Sequence, residues 1–295
     1  MFIPPSHEER VKAIGRLNDL PMLIKKAFEP SEHFSPIPMP GPGDWLSVHR
    51  EPGQTFEEYV KLNPLKPDKV RKFIYIQPIG TFIRGVNPPI SLLVRFTEAF
   101  FCMKVKLLRP VMLSDIRVKT RINPYTAKRQ ILTSDILNFL KDEKPADSFC
   151  LLAITMEDLY PEPSWNFVFG QASLTDRVGV FSFARYDPAF YGEVRGSDYQ
   201  KLLLKRSCKV LAHETCHMLL LYHCIYFHCL MNGSNHLQES DARPLHLCPV
   251  CLRKVHYCIQ FDIIERYKNL LKFYEENDFR EEAEWILGRL RNLEK

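Results

Sequence analysis

The chain lacks any apolar run long enough to cross a membrane. Its most apolar stretch, residues 218–231, is short and carries His223 and His228, whereas a spanning helix needs about 20 apolar residues. Its first ten residues show neither a basic n-region nor an apolar h-region, so no secretory signal is expected. It also lacks a strong charge bias. Forty Lys and Arg against 35 Asp and Glu leave a net charge of +5, scattered along the sequence. That excess is too small to imply nucleic acid or an anionic membrane as a partner. No internal repeat is present. A 45% hydrophobic and 25% charged composition is that of an ordinary globular protein, with room for one large domain or two small ones.

Cysteine and proline are unevenly placed. Nine cysteines, an odd number, without a signal sequence argue against a disulfide framework. Metal-bound or free thiols in a reducing compartment, the cytoplasm or nucleus, are expected instead. Cys102 and Cys150 stand apart, and the other seven fall between Cys208 and Cys258 together with His213, His217, His223, His228, His236, His246 and His256. Eleven of the 22 prolines lie in residues 1–70. Each removes a backbone donor and resists helix, so this segment reads as a loop-rich extension with short helices near 8–17 and 56–62.

Beyond it, strands are expected at 73–76, 105–108, 149–155, 167–169 and 178–183. Helices are expected to open at Asn87-Pro88-Pro89 and at Asn123-Pro124. A long helix is expected over 197–219, with two more near 259–274 and 279–293. Strands alternating with helices give an α/β sheet layered by helices. The expected division is an N-terminal extension to residue 70, a main domain over 71–275, and a C-terminal helix over 276–295.

His213-Glu214-Thr215-Cys216-His217 is an H-E-x-x-H motif. Residues four apart share one helix face, so His213 and His217 can offer imidazoles to one zinc ion. Glu214 stands beside them, where a carboxylate can take the proton of an activated water. His223 lies ten residues after His213. On a continuous helix it would be about 15 Å further along the axis, at 1.5 Å per residue. For it to be the third ligand, the helix must end just after His217 and the chain must turn back. The long motif followed by a later Met, here Met231, is the metzincin signature. Cys224 and Cys229, with Cys248-Pro249-Val250-Cys251, form two close pairs separated by a loop, the layout of a closed four-thiolate structural zinc site.

These residues, with Ile74-Tyr75-Ile76-Gln77, Gly80-Thr81-Phe82, Phe167-Val168-Phe169-Gly170-Gln171-Ala172, Phe181-Ser182-Phe183-Ala184-Arg185 and Asn235-His236-Leu237, resemble the archaemetzincin (archaelysin) family, in its animal branch. The resemblance spans about residues 70–270. It implies a compact metzincin-like α/β metallopeptidase domain: a mixed sheet, an active-site helix, a Cys-rich zinc subdomain and a helical tail. It implies zinc-dependent hydrolysis of peptide or protein substrates, aminopeptidase-like and narrow in range. Glu214 would be the general base, and two zinc ions would bind per chain. Two positions depart from the family pattern: Leu220 stands where the family has Gly, and Cys216 where a small residue is usual. The active-site helix is still expected to stop within a residue or two of Leu219.

The rival reading is a catalytically weak or inactive zinc-binding interaction protein that keeps both metal sites. A zinc-ribbon binding module for nucleic acid ranks lower: Arg253 and Lys254 follow the knuckle, but no basic stripe with aromatic residues surrounds it. Cys208, Cys216 and Cys258 are expected to be packed, and His228 and His236 to lie near the sites without binding metal. Arg185 and Tyr186 are expected to be structural. A substrate strand is expected to pair with an edge strand at 167–170.

Overall fold

The computed structural model of the protein describes residues 2–294. Four short helices come first: α1 (His7–Ile14), α2 (Met22–Phe28), α3 (Trp45–Val48) and α4 (Phe56–Lys61). There follow β1 (Phe73–Ile79), α5 (Ile90–Phe101), β2 (Val105–Leu107), β3 (Thr120–Ile122), β4 (Arg129–Leu132) and α6 (Thr133–Asp142). Then come β5 (Ser148–Thr155), β6 (Asp158–Tyr160), β7 (Gly170–Ser173), β8 (Val178–Ser182) and the long α7 (Tyr199–Met218). The last helices are α8 (Leu237–Ala242), α9 (Pro249–Ile259), α10 (Ile263–Glu276) and α11 (Arg280–Glu294). The chain divides into two compact units, residues 67–218 and residues 1–66 with 219–295.

The unit of residues 67–218 is the mixed α/β body. Its five-stranded sheet runs β2-β1-β5-β8-β7. The first four strands are parallel, and β7 pairs antiparallel with β8 at the edge. Successive strand residues point to opposite faces. Tyr75, Ile79, Leu151, Ala153, Val178 and Val180 form a buried cluster with Ile136, Leu137 and Leu140 of α6. On the sheet, α7 packs on β5, β7 and β8, and α5 packs on α7. A second sheet, β3-β4-β6, extends the body. Arg185 holds Asp158 at the start of β6 with two bonds of 2.8 Å. Both side chains are buried, and Phe167 lies under the guanidinium, which is the structural role expected of Arg185.

The unit of residues 1–66 and 219–295 departs from the expected division. The Pro-rich segment is not an extension by itself: α1, α2 and α4 pack against α9. The end of α1 and the loop before α4 leave carbonyls that need donors, and α9 supplies them. Arg253 donates to the carbonyls of Ile14 and Arg16, and Lys254 to the carbonyl and side chain of Gln54. The two basic residues after the knuckle are therefore buried fasteners of the N-terminal segment. Capping boxes start α1 (Ser6 with Glu9) and α4 (Thr55 with Glu58), which is why these short helices form where expected.

Three local expectations are corrected, and one helix appears that was not expected. Asn87 does not cap α5; its side chain accepts from the Ile83 amide, and the helix opens after Pro89. Asn123 does not open a helix. Its Oδ1 accepts from the amides of Tyr125 and Thr126, an Asx-type turn between β3 and β4, so Ile131 lies in a strand. The fourth strand of the main sheet is β7, starting at Gly170 rather than 167. The Cys-Pro knuckle opens a helix, α9, with Cys248 at the cap and Pro249 at the first position, where proline's missing donor costs nothing.

Candidate metal centres and active site

Helix α7 carries the H-E-x-x-H motif in its last two turns. Its buried face includes Leu203, Ser207, Val210, Leu211 and Cys216, which fixes the rotation of the helix and hence where the motif points. His213 is 5% exposed. The Nε2 atoms of His213 and His217 lie 3.0 Å apart, with the rings at 81° to each other. Glu214, between them, has its Cγ 3.4 Å from the point that a Cβ on Gly170 would occupy. The missing side chain of Gly170 thus leaves room for Glu214 beside β7.

The helix ends at Met218, and Leu220 takes φ +67°, the left-handed region. The helix therefore stops where expected even though the residue is Leu, at a cost of roughly 1–2 kcal/mol. The turn after the helix leaves backbone carbonyls that need donors, and here they find them. Tyr59, fully buried, donates its hydroxyl to the Leu219 carbonyl at 3.0 Å. Gln54 donates its amide to the Leu220 carbonyl at 3.0 Å and accepts from the Tyr222 amide at 3.3 Å. The turn redirects the chain, and one ligand nitrogen from each of His213, His217 and His223 lies within 4.8 Å of the other two. Tetrahedral Zn–N bonds of 2.0–2.1 Å require N···N near about 3.3 Å, close to the 3.0 Å between His213 and His217.

Cys224, Cys229, Cys248 and Cys251 converge, all buried and all free thiols. The Sγ atoms of Cys224 and Cys248 are 3.6 Å apart, against about 3.8 Å for tetrahedral Zn–S bonds of 2.3 Å. Cys229 Sγ also accepts from the amides of Met231 and Cys248. Burial pushes the Cys224 thiol up, but hydrogen bonds from Cys229, Cys248 and Cys251 outweigh it and hold the thiol well below its ordinary value. The Cys248 thiol is pushed well up by burial and by hydrogen bonds with Cys224 and Cys229; the Cys251 thiol is pushed well up by hydrogen bonds with Cys224, Cys229 and Cys248, with burial adding to it. Four buried thiols that cannot all ionise together without a cation form a donor set suited to one. The loop between the pairs is organised by Asn232, whose amide bonds the Cys224 and Phe227 carbonyls while its oxygen accepts from the Cys229 amide. Met231 is fully buried.

A third cluster, Asp44, His236 and Glu239, is closed by its own hydrogen bonds. His236 Nδ1 accepts from the Glu239 amide, so the ring proton sits on Nε2 and is donated to Asp44 at 3.0 Å. No lone pair of the ring is left for a metal, and His236 is the cap of α8. Cys208 and Cys216 are fully buried, as is nearly all of Cys258. His228 is half-buried, and its amide donates to the Ser35 carbonyl.

The model of Peptidase family M54 matches residues 95–257, more than half of the chain. The protein belongs to the archaemetzincin family. Archaemetzincin-2 of Homo sapiens is 45% identical over 283 residues, which span 86% of this chain and 78% of that protein. Archaemetzincin-2 of Rattus norvegicus is 43% identical over 324 residues, covering 92% and 90%. The crystal structure of archaemetzincin (AmzA) from Methanopyrus kandleri covers 67% of this chain and all of its own at 26% identity, with a TM-score of 0.49. As a family member, this archaemetzincin is a zinc metallopeptidase with a mixed α/β fold.

The residues that hold the turn and His223 in place, Trp45, Glu51, Gln54 and Tyr59, were not legible in the sequence of this archaemetzincin. They lie about 160–190 positions from their partners, and no local spacing links them.

Proposed function

We propose that this archaemetzincin hydrolyses peptide bonds with zinc held by His213, His217 and His223, while a second zinc held by Cys224, Cys229, Cys248 and Cys251 is structural. The observation that carries the reading is the approach of the three imidazoles within 4.8 Å of one another at the end of α7, achieved through a strained turn at Leu220. Zinc supplies Lewis acidity: it lowers the pKa of a water towards about 7 and polarises the peptide carbonyl. The Glu214 carboxylate, next to His213 on the same helix, takes the proton of the attacking water and returns it to the leaving amine. The free edge of β7 offers a substrate strand backbone partners, and Gly170, at its start, keeps that edge close to Glu214. The expected action is aminopeptidase-like with a narrow substrate range, in an intracellular setting.

Zinc-loaded protein and its Glu214→Gln variant, compared on a labelled peptide library with metal content measured in parallel, test this. Two zincs per chain and turnover lost only in the variant support it. Two zincs with no difference in turnover would favour the non-catalytic zinc-binding reading.

A further inference from the structure

We propose that Glu51, from the Pro-rich N-terminal segment, is the positioning residue of His223, fixing both its tautomer and its ring direction. The inference rests on the reading of His223 as the third zinc ligand. His223 Nδ1 donates to Glu51 Oε1 at 2.7 Å, and the two side chains are only 20% and 17% exposed. A carboxylate can only accept, so the proton belongs on Nδ1 and the Nε2 lone pair is left for the metal. A carboxylate behind a ligating imidazole also raises the basicity of the nitrogen in front.

Glu51 is itself held. The indole Nε1 of Trp45 donates to the same Oε1 at 2.7 Å. The Trp45 ring stands edge to face against His223, with centroids 5.1 Å apart and planes at 77°, and stacks on His49 at 3.9 Å. The indole therefore braces the imidazole from the side while its N–H aims the carboxylate. Trp45 is anchored in turn at its backbone, where its amide donates to Glu239 Oε1 at 2.9 Å. Glu239 Oε2 accepts from the Asn235 amide at 2.7 Å. Gly233, two residues after Met231, has no side chain; a Cβ there would lie 2.4–2.6 Å from the indole. The loop after the helix and the N-terminal segment thus close around one histidine, and every link lies within residues 1–66 and 219–295.

The experiment uses the full chain as parent, Glu51→Ala and Glu51→Gln. Zinc affinity is read by competition with a chromophoric chelator, metal content by elemental analysis, and the His223 tautomer from imidazole nitrogen shifts in the metal-depleted protein. Glu51→Ala is expected to weaken one of the two zincs 10–100-fold, leave the other in place, and replace the Nδ1–H form of His223 by a mixture. Glu51→Gln keeps an accepting oxygen without the charge, so it should keep the tautomer and weaken zinc by less than Glu51→Ala does. If Glu51→Ala does not fold, the near-isosteric Gln variant decides: zinc affinity equal to the parent's overturns the proposal. A parent with two zincs and a folded Glu51→Ala variant of equal affinity and unchanged tautomer also overturns it, while leaving the proposed function intact. A parent that holds a single, cysteine-bound zinc overturns the reading of the histidines as ligands, and the positioning role with it.

Discussion

Leu220 occupies backbone space that favours glycine, and the chain tolerates this because the neighbouring carbonyls are satisfied by Gln54 and Tyr59. The strain can be relieved. Leu220→Gly is expected to raise folding stability by about 0.5–1 kcal/mol, the left-handed penalty less the extra entropy of glycine in the unfolded chain. Denaturant unfolding that shows a loss of stability instead would mean that packing of the Leu side chain outweighs its backbone strain. Gly233 makes the opposite case. Gly233→Ala would drive a methyl into the Trp45 indole and is expected to cost about 1–3 kcal/mol as overpacking. It should also shift Trp45 fluorescence, because the indole must leave Glu51. An unchanged midpoint and spectrum would show that the ring moves aside freely.

At the scale of the elements, the approach to α7 depends on charge. Asp187 accepts from the Ala189 amide and binds Arg195 through both oxygens, at 3.0 and 2.7 Å. Burial raises the carboxyl's pKa, but Arg195, the Ala189 amide and Tyr199 more than offset it, so the net shift is below the ordinary 3.8. A carboxylate with a depressed folded pKa contributes stability above its unfolded value and loses it as the pH falls through the folded one. Asp187→Asn is therefore expected to cost about 1–3 kcal/mol at neutral pH, and the gap to the parent should close as the pH drops below about 4. A gap that stays constant across that range in thermal melts would count against the ionic origin.

What the sequence revealed follows the same divide between local and distant causes. The strands β1, β5 and β8 and the helix α7 announce themselves through runs and periods, and the metal-binding residues through spacings of three, four and ten. Asn123 misled because Asn before Pro serves an Asx turn as readily as a helix cap, and the strand content of Ile131 gave no contrary period. The helix α9 is hidden in the sequence because the spacing of Cys248 and Cys251 signals metal ligation more strongly than Cys-Pro signals a helix start. The supports of His223 were invisible because Glu51 and Trp45 reach it across about 170 residues.

For the whole molecule, the four-thiolate cluster is buried in the unit of residues 1–66 and 219–295, among apolar neighbours in sequence such as Leu230, Met231, Val250 and Leu252 that are themselves buried. Structural zinc contributes folding energy of order 10 kcal/mol in small domains. Cys251→Ser is expected to lose one zinc per chain and lower the unfolding temperature, and exhaustive chelation of the parent should lower it at least as far. Calorimetry giving the same transition before and after metal removal would show that the thiols are packed for shape alone.

The braces on the turn and on His223 also set an order of events during synthesis. Tyr59 and Glu51 leave the ribosome before residues 67–218, and their partners, residues 219–223 and helix α9, follow only after about 150 intervening residues. At roughly 5–20 residues per second, the N-terminal helices wait at least about 8–30 s for the surface that covers them. During that wait Phe28 and Tyr59, among the most deeply buried side chains of the finished protein, lack their final cover. Meanwhile the strands and helices of residues 67–218 can pair among themselves. The third histidine is therefore locked in place only after residues 67–218 have been made, and a nascent chain stalled before residue 219 would hold an H-E-x-x-H helix with nothing to complete it.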